Sequence, residues 1–236
     1  MAHFKKTLST LGVCAALVMA AQATAATEAT LKVSGTIVPA ACSTTLSNSG
    51  EVAYGSVASS VIRNAPEGNG LVQLGAKDIT LTVTCDAASA MGFKMIDNRA
   101  NTVVPLSASN YIVSPISGGN DAQSYHGFGL GLASNDAQIG AYSVVVDAAN
   151  TKADSAAAGV VYSDDAGKNW RSGTAVYQVN DSARIVTVSN VGGSEPKLFR
   201  EATFPLKISA GVQSSSVLGM DEITFDGNAT LSLVYL

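Results

Sequence analysis

Residues 29–42 read ATLKVSGTIVPAAC. Small or apolar side chains recur at every second position: Ala29, Leu31, Val33, Gly35 and Ile37. That period predicts a β-strand with one face for a core. The run lies close to an N-terminus and ends on a cysteine. A strand so placed pairs either with its own fold or with a neighbouring molecule, and the choice bears on what the protein is for.

What precedes the run is an export signal. Lys5 and Lys6 make a positive start, an apolar run follows from Leu8 to Ala20, and Ala23-Thr24-Ala25 offers a small-residue cleavage site. Residues 1–25 are therefore expected to be a cleavable signal peptide. The chain would pass the inner membrane into the periplasm, and reach the cell surface if assembled there. No later stretch approaches the ~18 apolar residues of a spanning helix, so no transmembrane segment is expected after cleavage.

Cleavage before Ala26 removes Cys14 and leaves Cys42 and Cys85. An even count in an exported chain predicts one disulfide. Chain-entropy reasoning puts its value at about 4 kcal/mol. Two cysteines cannot form a four-ligand zinc site. Losing Lys5 and Lys6 shifts the net charge of −4 to a more negative value. With no basic cluster, nucleic acid and anionic lipid are excluded as expected partners.

After the signal, helical periodicity is hard to find and alternation recurs. Asp78–Cys85 places Ile79, Leu81 and Val83 on one face and Thr80, Thr82 and Thr84 on the other. Further strands are expected at 52–57, 92–96, 128–132, 142–146, 159–162, 174–179, 184–188, 203–208 and 228–236. Clusters of Gly, Asn, Asp, Ser and Pro separate them. Short strands at this spacing predict an all-β sandwich of one domain, loop-rich in its middle third, residues 107–190. The final strand, ATLSLVYL, sets Ala229, Leu231, Leu233 and Tyr235 on one face, and Thr230, Ser232, Val234 and Leu236 on the other.

Several of these stretches together resemble chaperone–usher pilins. VSGTIVPAAC (33–42) resembles the opening of pilin subunits, VAYGSV (52–57) their second segment, LTVTCDA (81–87) the strand with the second half-cystine, and NATLSLVYL (228–236) their C-terminus. A broader resemblance, carried by LVQLGAKDITLTVTCDA, DNRANTVVPL, FGLGLASNDAQIGAYS, TFPLKISAGV and VLGMDEITFDGNATLSLVYL, is to the GltF-like family of fimbrial-like periplasmic proteins, a domain-of-unknown-function family. The resemblance implies an immunoglobulin-like, pilin-type β-sandwich over 36–236 that lacks one strand. It implies a donor strand at 26–35, with Ala29, Leu31, Val33 and Gly35 filling a neighbour's groove. It also implies a C-terminal strand, with Leu231, Leu233, Tyr235 and Leu236, that a chaperone grips.

The implied partners are a periplasmic pilus chaperone, an outer-membrane usher and neighbouring pilus subunits. The function implied is that of a fimbrial subunit assembled by donor-strand exchange and supporting adhesion. Strand addition of this kind draws affinity from main-chain hydrogen bonds and specificity from alternate side chains. Ten residues of strand reach roughly 33 Å, enough to line a sandwich groove. Three features depart from the pilin pattern: Ala29 stands where a glycine is usual, the extension is short, and Ile223 occupies a place often held by glycine.

The alternative is a self-complete periplasmic or tip domain that binds a host or glycan receptor, with Tyr162 and Trp170 as its stacking surface. Ser163-Asp164-Asp165-Ala166-Gly167-Lys168-Asn169-Trp170 matches an Asp box, which occurs once and predicts a structural hairpin. Gly127, Gly129 and Gly131 lack the dinucleotide spacing. His126 is expected in a surface loop without a triad, since no G-x-S-x-G motif is present. Asp97-Asn98-Arg99 is expected to form a turn with a local Asp–Arg pair. Asp221, Glu222 and Asp226 lack EF-hand spacing and are expected in solvated loops. No catalytic residue, metal or cofactor is expected.

Overall fold

The computed structural model describes residues 30–36, 38, 40–219 and 221–236. Residues 1–25, expected as a signal peptide, lie outside the described residues, as do Ala29 and Ile37. The chain divides into an N-terminal unit ending at Val38 and a second unit, Pro39–Leu236. No described helix is long and apolar enough to cross a membrane.

In the N-terminal unit, residues 30–36 have no regular secondary structure. Leu31 and Val33 are 88% and 87% exposed. The strand expected from the alternation at 29–42 is therefore not formed over residues 30–36. Alternation supplies a face, but a strand needs a partner for its backbone groups before it is stable.

The second unit is all-β. Its main strands are β1 (Cys42–Leu46), β2 (Leu71–Ser89), β3 (Met91–Asp97), β4 (Gly140–Asp147), β5 (Gly159–Ser163), β6 (Ala175–Tyr177), β7 (Ile185–Ser189), β8 (Phe199–Gln213) and β9 (Ala229–Tyr235). One antiparallel sheet runs β1-β2-β8-β4-β6. The other runs from the short strand Arg171–Ser172 through β5, β7 and β3 to β9. The middle third carries short ladders, such as Ile112–Val113 with Asn120–Asp121, and also contributes β4 to β7 to both sheets.

The two sheets meet face to face. Phe93 of β3 and Phe204 of β8 pack edge to face, with centroids 5.0 Å apart. Ile79, Leu81 and Val83 are buried as their alternation requires. The long β2–β8 ladder holds together despite Pro205, which lies where β8 has a partner on one side only, between its pairings with Lys152 and with β4. A smaller cluster of Leu71, Val104, Leu106, Ile112 and Ala141 forms a second apolar contact region.

Cys42 and Cys85 stand opposite each other in the β1–β2 ladder and are disulfide-bonded, 43 positions apart. The bridge pins the edge of the first sheet at the residue where that sheet begins.

Residues 52–57, expected as a strand, form none. Gly55 adopts φ +67°, outside any strand conformation. Residues 128–132 contribute only Phe128–Gly129, a two-residue ladder against β4.

Candidate functional groove

Among the described residues, β9 pairs with β3 and with nothing on its other side. The register shows which backbone groups are left over. Asn98 donates its N–H to the Asn228 carbonyl, and Leu236 donates to the Ala90 carbonyl. In an antiparallel ladder the hydrogen-bonded pairs alternate. The even residues of β9 therefore bond to β3, and the odd residues Ala229, Leu231, Leu233 and Tyr235 aim N–H and C=O at the unpartnered edge.

Beside this edge lies an apolar cavity of about 980 Å³ between the two sheets. Its floor includes Ile79, Leu206 and Ile208 of the first sheet and Met95 of the second. Leu231 lines it from β9. The opposite wall is the irregular segment between β1 and β2. Tyr54 holds that wall in place: its hydroxyl donates to the Ile208 carbonyl at 2.7 Å and approaches the Gly75 carbonyl at 3.2 Å. Gly75 sits at φ +81° beside a register shift of the β2–β8 ladder, a bulge that presents its carbonyl. Burial pushes the Tyr54 phenol well above its ordinary pKa. VAYGSV is thus a tethered wall rather than a strand.

At the far end of β9 the Tyr235 hydroxyl donates to the Ala40 carbonyl at 2.6 Å. Leu231 and Leu233 are half-buried, while Tyr235 and Leu236 are exposed. Glu51, Asp221, Glu222 and Asp226 bring negative charge to the groove lining. Asp226 pairs with Arg99, which corrects the expected local Asp97–Arg99 pair, while Asp221, Glu222 and Asp226 lie exposed in a loop as expected. The Asp97 carboxylate accepts the backbone N–H groups of Arg99 and Gly129, while the Arg99 guanidinium reaches across to Asp226. Burial raises the Asp97 pKa.

The remaining candidates lie elsewhere. The Asp box is a satisfied hairpin: Ser163 Oγ donates to Asp165 and accepts from the Gly167 N–H, and Asn169 donates twice to Asp165. These bonds, with those from Asn169 foremost, hold the Asp165 pKa far below the usual carboxylate range. Gly167 takes φ +85° at the turn. Tyr162 and Trp170 are half-buried. The Arg184 guanidinium covers one face of the Tyr162 ring at 4.6 Å and also bonds Asp164.

His126 is not on a surface loop, as expected from its neighbours. It is buried, its Nδ1 lies 2.8 Å from Asp121, and its ring stacks on Tyr177. Its Nε2 is enclosed, as is the second oxygen of Asp121. A histidine so enclosed has no path to a substrate. The sequence offered no sign of this, because the covering residues come from separate elements. Among the described residues no cluster of three or more His, Cys, Asp or Glu could hold a metal.

A family described as proteins of unknown function (DUF1120) matches residues 31–143. Protein GltF of Escherichia coli (strain K12) is 33% identical over 99% of each chain. The uncharacterized protein YhcF of the same organism is 29% identical over 92% of this chain and 94% of its own. At that identity and coverage, the chain belongs to the GltF-like family of proteins of unknown function.

Proposed function

We propose that the protein is a non-enzymatic fimbrial subunit or fimbrial-like protein, completed by a strand from another chain and supporting cell-surface adhesion. The observation that carries this reading is the free edge of β9 beside a large apolar groove. An exposed edge with apolar alternation is a template for strand addition.

The strand order supports the same reading. In a constant-type immunoglobulin sandwich, strands ABED form one sheet and CFG the other. The order β1-β2-β8-β4 corresponds to ABED, and β3-β9 corresponds to C and F. The place of G, beside β9, has no strand among the described residues. The exposed segment around Leu31 and Val33 has the alternation that such a place requires. On this reading a periplasmic chaperone lends the first strand. At the outer-membrane usher, residues 26–35 of a neighbouring subunit replace it, with Ala29, Leu31, Val33 and Gly35 facing the groove. The signal peptide delivers the chain to the periplasm for this purpose.

Co-expression of the mature chain with the chaperone of a chaperone–usher system tests the reading. A co-purifying complex is expected, as is loss of polymer when residues 26–35 are deleted. A stable monomer with no chaperone complex, unaffected by that deletion, would sink the proposal.

A further inference from the structure

The groove is not open along its whole length. Tyr54 belongs to the wall tethered to the first sheet, and Phe225 lies in the segment leading into β9 of the second. Their rings meet edge to face, with centroids 6.0 Å apart. This contact bridges the two walls. Its level follows from the β2–β8 register. The Tyr54 hydroxyl reaches the Ile208 carbonyl, and Ile208 pairs with Lys77. Leu206 and Ile79 lie on one side of that level, and Val212 and Val72 on the other. Cavity lining lies on both sides of that level, with Leu206 and Ile79 on one and Val212 and Leu218 on the other. The bridge therefore crosses the groove part-way rather than closing its end.

The segment carrying Phe225 is held by its neighbours. The Asp226 N–H donates to the Leu130 carbonyl, and its carboxylate pairs with Arg99. Gly227 lies against the Tyr142 ring so closely that a Cβ there would come within 2.6 Å of it. Phe225 itself is only half-buried. An aromatic ring on a fixed backbone, packed on one partner ring, moves by rotating its own side chain. The backbone beside it stays.

We propose that Tyr54 and Phe225 form an aromatic gate, which must part before an extended strand can fill the full length of the groove. The gate governs how fast a long occupant enters. A short occupant, confined to the stretch beside β9, leaves it closed. This inference rests on the strand-acceptor reading above and adds to it the residue pair that regulates entry. The ligand class is an extended apolar peptide with alternate side chains directed inward.

The test uses the full mature chain and its Phe225→Ala variant, with two fluorescent synthetic probes: a peptide of residues 26–38 and a shorter one of residues 30–36. The dye ANS reports apolar groove surface in the absence of peptide. An edge-to-face pair of this kind is worth enough to slow entry by about fivefold. Phe225→Ala is therefore expected to bind the long peptide about fivefold faster, bind the short one at the wild-type rate, and take up more ANS. Phe225→Leu, which keeps bulk without the ring, keeps the fold if alanine does not and should fall between the two. Equal long-peptide rates and equal ANS uptake overturn the gate while leaving the strand-acceptor reading in place. Slower binding by Phe225→Ala also overturns it, making Phe225 a contact for the occupant. If no chain binds either peptide, the strand-acceptor reading falls and the gate falls with it, whatever ANS reports.

Discussion

β1 and β9 both end a sheet, and they end it differently. β1 is a five-residue strand with Ser43, Thr44 and Thr45 exposed, and a disulfide fastens it to β2. A short, polar, covalently fixed edge invites no further pairing. β9 is longer, carries no charge and no proline, and lines the cavity with Ala229 and Leu231, while Leu233 packs against the core. Its odd backbone groups face outward unpaired. Natural sheets guard their edges, so an apolar edge beside a cavity, with no partner among the described residues, supports the strand-acceptor proposal. The disulfide protects the edge that stays closed, on the far side of the same groove.

Breaking the closed edge should have the largest effect. Replacing Cys42 and Cys85 by serine removes the tie on β1 and should cost about 2–5 kcal/mol in reversible urea unfolding. Loss below ~1 kcal/mol would mean that β1 is held by its ladder alone.

Proline separates the two sides of β9. Val234→Pro deletes an N–H that bonds β3 and leaves a carbonyl unpaired, which should cost about 1–3 kcal/mol. Tyr235→Pro deletes an N–H that faces the open edge, so the cost in the free chain should be smaller. It should nevertheless weaken strand capture. Equal destabilisation by the two variants would show that the edge assignment is wrong.

Tyr54→Phe probes the tethered wall. It removes the hydroxyl that bonds Ile208 and keeps the ring, for an expected loss of about 1 kcal/mol. Calorimetry with and without the 26–38 peptide would show whether the wall matters more once the groove is filled.

The smallest effect is expected at the Asp box, which is complete in itself. Asp165 has a folded pKa depressed by Asn169 and Ser163. Its stabilising contribution is therefore fully present above the ordinary carboxylate value, near 3.9, and is lost as pH falls through the lower folded value. Asp165→Ala should lower the melting temperature slightly at pH 7 and make no difference at pH 1, by a thermal scan at both.

Much of the sandwich was legible because alternation and burial coincide. Ile79, Leu81 and Val83 point inward as their spacing requires, and the C-terminal run forms β9. The paired cysteines declared their bond. What escaped was whatever depends on distant partners. Residues 52–57 alternate like a strand, but Tyr54 spends its hydrogen bonds on Ile208, 154 positions away. Arg99 meets Asp226, 127 positions away, instead of its neighbour Asp97. His126 is buried by Tyr177 and Asp121, which no local pattern announces. The run at 29–42 is the opposite case. Its alternation was plain, but a pattern of side chains does not supply the partner strand its backbone needs.

Hydrogen exchange along β9, read residue by residue by NMR, tests the central claim most directly. In the free chain, the amides of Thr230, Ser232 and Val234 should be protected, and those of Leu231, Leu233 and Tyr235 should exchange freely. On addition of the 26–38 peptide or a chaperone, the odd amides should become protected as well. Odd amides already protected in the free monomer, or left unchanged by any strand-bearing partner, would contradict the account.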